Sequence, residues 1–162
     1  MRRTHVPIVD AHWLRTAVRG RCGAALVEGT IVLAVFLTIV FALFDLGLAV
    51  MRENSLAEAA RRLARAAIVH GDLAEPEQNS WGPARYSGTA ADDTEYAEAI
   101  QLALVTIDPA DVEIEITWPD NDNQTGDRVT VAVRYDHHTI LPRVLGASTM
   151  ELVGRSTMRI EH

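Results

Sequence analysis

Residues 19–44 read RGRCGAALVEGTIVLAVFLTIVFALF. A basic segment ends at Gly23, and a long apolar run follows with one carboxylate, Glu28, near its start. Residues 29–44 carry no charge, and the apolar run as a whole extends from Ala24 to Met51, interrupted by Glu28 and Asp45. At 1.5 Å of rise per residue such a run spans roughly 40 Å as a helix, enough to cross a bilayer with overhang. An acid inside a membrane-length helix costs about 2.5–3.5 kcal/mol at mid-span and less near the interface, so Glu28 is a functional candidate by default.

Charge gives the run a direction. Residues 1–23 hold five Arg (2, 3, 15, 19 and 21) and one acid, Asp10, for a net of +4; the remainder nets −11, giving −7 in all. Basic residues just before an apolar span keep that end in the cytoplasm. The acidic bulk then faces the periplasm or the exterior, with the chain held in the inner membrane by one pass. An acidic outer domain would repel phosphates, which argues against nucleic acid as a partner. Every one of the 15 basic residues is Arg, a matter of codon usage and not of function.

The sequence thus predicts a leader over 1–23, a transmembrane helix over 24–50 and an extracytoplasmic domain over 51–162. The last has about 110 residues, enough for one modest core. Cys22 is the sole cysteine, so the outer domain folds without an internal disulfide. The charged VRGR before Cys22 does not fit a lipoprotein signal, and a secretory signal has a shorter apolar core of about 7–15 residues with no acids.

The outer domain reads as α+β. Met51 to His70 continues the helix on a stripe of Leu56, Ala59, Ala60, Leu63, Ala66 and Ala67, and His70-Gly71 stops it. Residues 72–91, with Pro76, Pro83, Gly82 and Gly88, read as a loop, pinned by Trp81 and Tyr86. A second helix follows over about 93–107, with Asp92 and Glu95 as a capping box. Two strands alternate cleanly: Val112, Ile114, Ile116, Trp118 and Val129, Val131, Val133, Tyr135. A third, about 149–160, shows Met150, Leu152, Met158 and Ile160 on one face. The expected product is a three-stranded antiparallel sheet covering the outer part of the long helix.

Two clusters carry residues capable of chemistry. Asp120, Asp122, Asn123 and Asp127 offer hard oxygen ligands, but Gly126 is seventh from Asp120 where an EF-hand loop has its Gly sixth, and the same residues suit a hairpin turn. His137 and His138 are neighbours whose side chains point to opposite faces of a strand, so they read as surface or loop histidines rather than as a metal pair. With no phosphate loop and no nucleophile elbow, nothing calls for catalysis, a metal or a cofactor.

A basic leader, Gly23, and Glu28 as the fifth residue after it resemble the layout of a type IV prepilin. The segment from Gly23 to Gly71 goes further: Asp45-Leu46-Gly47, Asn54-Ser55-Leu56 and an Ala-Ala-Arg-rich helix resemble the start of the TadE-like family, pseudopilins of tight-adherence pilus systems. RVTVAVRY, a Leu-Pro loop and STMR (156–159) are similar to the family's closing strands. Gly29, where members commonly have an aromatic, and Leu48, where they often have Arg, depart from the pattern. The resemblance implies a small pilin-like domain, cleavage between Gly23 and Ala24 by a prepilin peptidase, and partnership with other pilins or pseudopilins and the pilus assembly machinery. It implies that Glu28 acts in assembly, neutralising the new amine of Ala24 in a helical bundle where either charge alone is costly. Gly23, lacking a Cβ, lets the backbone extend into a protease site. Asp45 either marks the membrane's outer edge or makes an inter-subunit contact. Two other readings stand beside this one: an uncleaved anchor carrying a binding or sensor domain, and a secreted enzyme released by a later cleavage.

Overall fold

The computed structural model describes residues 12–74, 79–146 and 148–161. The first eleven residues of the basic leader and residues 75–78 of the loop, Pro76 included, lie outside them. The chain divides into two compact units, Met1–Phe41 and Ala42–His162. One helix, α1 (His12–Ile68), runs through both.

Over its described residues, 12–41, the first unit is helix, and in its apolar part Leu26, Val27, Ile31, Val32, Val35 and Phe36 are exposed. Thr30 and Thr38 each donate their hydroxyl to the carbonyl four residues back, at 2.8 Å. A hydroxyl satisfied in this way needs no water, which suits a lipid-facing helix.

The second unit orders its elements as the rest of α1, β1 (Tyr86–Thr89), α2 (Glu95–Gln101), β2 (Val112–Thr117), β3 (Arg128–His138), α3 (Pro142–Leu145) and β4 (Thr149–Arg159). The sheet has four antiparallel strands in the order β1-β2-β3-β4, where the sequence predicted three. The fourth is β1, which lies in the segment read as a loop. Its YSGT sequence has no apolar alternation, and its place is set by pairing with β2, Tyr86 opposite Ile116 and Gly88 opposite Ile114. Pairing and not local propensity makes it a strand.

One face of the sheet is dry. Val112, Ile114, Ile116, Val129, Val131 and Val133 are all buried, against Leu56, Ala59, Ala60, Leu63 and Ala64 of α1. The alanines let helix and sheet approach closely, and the tightest point is Gly154 of β4: a Cβ there would collide with the backbone of Leu56. The other face carries charge. Arg134 reaches Glu115 at 2.5 Å and Glu151 at 3.6 Å, and the Thr130 and Thr157 hydroxyls meet at 2.9 Å. Such a one-sided sheet is the usual antiparallel solution.

β4 runs in the same direction as α1. Its first residues pair with the end of β3 that meets α1 at Asp45, Gly154 sits on Leu56, and the Glu161 N–H just past the strand donates to the Ile68 carbonyl at 3.1 Å. At the far end His70 stacks on Trp81, 4.2 Å between ring centres, and Trp81 meets Tyr96 of α2 edge-on. Trp81 also donates to Glu95 at 3.0 Å, which pins the chain around Trp81 to the core.

α2 is shorter than the periodicity predicted. After Gln101 the chain continues in tight turns, and Pro109 holds Asp108 extended (ψ 124°). Leu104 and Ile107 are still buried. The cap is Thr94, which accepts from the Ala97 N–H. Asp92 instead accepts from the N–H and hydroxyl of Thr89 and closes the turn after β1. The capping box therefore lies two residues earlier in the sequence reading than the true cap does in the fold.

Candidate functional site: the leader junction and a buried Asp-His-Arg cluster

Gly23, Ala24 and Glu28 are helical and exposed in the first unit. Ala24 and Glu28 stand one turn apart on one side of α1. A side chain at Gly23 would meet open space. Packing therefore gives no reason for glycine here, although glycine inside a helix costs about 1 kcal/mol relative to alanine. The helix over 23–68 is long and apolar enough to cross a membrane, and only 6% of its most apolar window is buried within the chain. That separates it from the core helix of a globular domain, whose apolar residues are covered.

Asp45 is placed quite differently. Its carboxylate is 1% exposed and has two partners within the second unit. Oδ1 lies 3.1 Å from His137 Nε2, and Oδ2 accepts the Ile140 N–H at 2.9 Å. On the other side of the ring, His137 Nδ1 is 2.6 Å from an Arg52 guanidinium nitrogen. Arg has only donors, so Nδ1 must be the acceptor and the ring proton sits on Nε2, donated to Asp45. The imidazole is thus held in one orientation, bridging a cation to a carboxylate. Arg52 also lies 5.3 Å from the centre of the Tyr135 ring, within cation–π range.

The sequence put these groups together in a legible way, in hindsight. Asp45 and Arg52 are seven apart, two turns along one helix face. His137 continues the inward series Val129, Val131, Val133, Tyr135 by one more step of two. Read on that period, it belongs on the dry face. The expectation of a surface or loop histidine is corrected: His137 is 2% exposed. The cluster's chemistry is the fastening of one end of the sheet to the helix. Asp45 is turned inward, so a contact with a neighbouring subunit would first have to uncover it.

The acidic turn is occupied by its own structure. Asp120 takes the Arg128 guanidinium at 2.6 and 3.1 Å and the Arg128 N–H at 2.9 Å. Asp122 accepts from the Asn123 N–H and Asp127 from the Gln124 N–H. Asn123 is buried and donates to Ser80 Oγ at 3.1 Å. Arg128 holds the Asp120 carboxyl down at about 2, from 3.8. Among the described residues no group of three or more His, Cys, Asp or Glu is arranged to hold a metal ion.

Residues 23–65 match the model of a family described as TadE-like protein. The matched segment starts at Gly23, takes in Glu28, the apolar run, Asp45 and Arg52, and ends within α1; the closing strands are outside it. No curated protein and no solved structure matches the chain.

Proposed function

We propose that this chain is a membrane-anchored TadE-like pseudopilin, made as a precursor, trimmed between Gly23 and Ala24 by a prepilin peptidase, and engaged in assembling a tight-adherence pilus. One observation carries the reading: the family match opens at Gly23 and contains Glu28 and the apolar helix in the order the precursor requires. A glycine with no packing role at that position supports it. The helix enters the membrane with its Arg-rich end in the cytoplasm and the acidic unit outside. Glu28 pairs with the freed amine of Ala24 on a neighbouring helix, and other pilins or pseudopilins are the partners. The chain is a substrate of the peptidase and carries out no chemistry itself.

The N-terminus of the chain purified from its native membrane tests this. A start at Ala24 is expected. Gly23→Val is expected to block trimming, because a branched side chain would not fit where the peptide must extend. A native chain starting at Met1 would favour an uncleaved anchor with a binding or sensor domain outside.

A further inference from the structure

We propose that residues 139–146, in the connection between β3 and β4, rest at the inner edge of the headgroup layer of the membrane that holds α1, with Ile140 and Val144 inserted and Arg143 reaching up to lipid phosphate. This rests on the anchored reading above. The Ile140 N–H bond to Asp45 Oδ2 fixes the segment at the height of Asp45 on the helix. Thr139 N–H to Ser148 carbonyl (3.1 Å) and Gly146 N–H to Pro142 carbonyl (2.9 Å) fold it into a compact bend. Ile140 and Val144 are 55% and 53% exposed, at a hairpin tip where polar residues are the rule.

The helix beside it sets the depth. On the side of α1 not covered by the sheet, Leu43, Phe44, Leu46, Val50 and Met51 are exposed. All belong to the same unit as the bend. The apolar surface therefore continues to Met51, about 9 Å past Asp45. A headgroup layer is only about 5–8 Å thick on each side of the hydrocarbon. A bilayer that covers the helix as far as its apolar surface reaches must also reach the bend. Arg143 then has its natural place, with its stem in the interface and its guanidinium on phosphate.

The test uses the full chain with Cys22→Ser, carrying an environment-sensitive fluorophore on one new cysteine and reconstituted in phosphatidylcholine–phosphatidylglycerol vesicles. Val144→Cys reports the bend, Val35→Cys the span and Leu102→Cys the opposite end, near the Trp81–Tyr96 cluster. Expected is blue-shifted Val144 emission, quenched severalfold more than Leu102 by lipids carrying a nitroxide high on the acyl chain. If Val144 behaves like Leu102 while Val35 is quenched, the proposal fails and the anchor stands. A blue shift without lipid quenching means another protein chain covers the bend, and overturns it too. If Val35 is not quenched, the anchored reading falls and takes this one with it.

Discussion

Removing the Asp45 side chain strands two donors, the His137 Nε2–H and the Ile140 N–H. Each buried donor left without a partner costs about 1–3 kcal/mol. Asp45→Ala should therefore lower the melting temperature of the full chain in detergent more than Asp45→Asn, which keeps one acceptor oxygen. Equal loss in both, or none in either, would mean that the cluster does not hold the sheet end to α1. At this scale the sequence showed one half of each pair. An acid within an apolar run announces itself, because its cost demands a reason. Its partner His137 is marked only by one further step of two along the inward series of β3, and the doublet with His138 obscures that step. The contact spans 92 residues of chain, and only the helix-to-sheet packing brings its members together.

Among elements, helices and long strands were legible and short or context-dependent pieces were not. β2, β3 and β4 declare themselves by alternation. β1 is a strand only because β2 offers it an edge, and α2 ends where Pro109 and the turns before it take over. The tight crossing of α1 and β4 is also invisible in sequence, since Gly154 sits in an alternation that any small or apolar residue would satisfy. Gly154→Ala should destabilise by about 1–3 kcal/mol, as overpacked cores do, seen as a fall in melting temperature with no change in trimming. The β2–β3 turn supplies a pH test. Arg128 lowers the Asp120 pKa to about 2, so the folded state binds fewer protons than the unfolded state between about pH 4 and 2. The stability this contributes is complete above 3.8 and is lost as pH falls through 2. Urea unfolding at pH 7, 4 and 2.5 should show Asp120→Asn less stable than the native chain at pH 7, with the gap narrowing at 2.5.

For the molecule as a whole, the polarity of charge supports the proposed orientation: basic residues precede the apolar run and an acidic remainder follows it. What the sequence did not show is where the sheet takes hold of the helix. It grips α1 at Asp45, inside the apolar run, so the second compact unit, from Ala42, takes in part of that run. On the proposed reading, processing and assembly fall to Gly23, Ala24 and Glu28, all within the first unit. Glu28→Ala should leave trimming intact, since the cut lies a turn away, but should abolish or sharply reduce recovery of the trimmed chain with pilus assemblies in sedimentation. Normal recovery would remove Glu28 from assembly.

The common direction of α1 and β4 has a bearing on self-association. β4 is an outer strand of eleven residues, long enough to tempt a second copy into a two-fold, antiparallel strand pairing. That pairing would reverse the second copy's stretch of α1 from Ala42 onward, which packs on its own sheet and keeps exposed apolar surface up to Met51. Neighbours inserted from the same side of one bilayer have their anchors pointing the same way, so the lipid forbids the arrangement for as long as both remain embedded. Solubilisation lifts the prohibition, and dimers that form only in micelles are what this geometry leads one to expect at the bench.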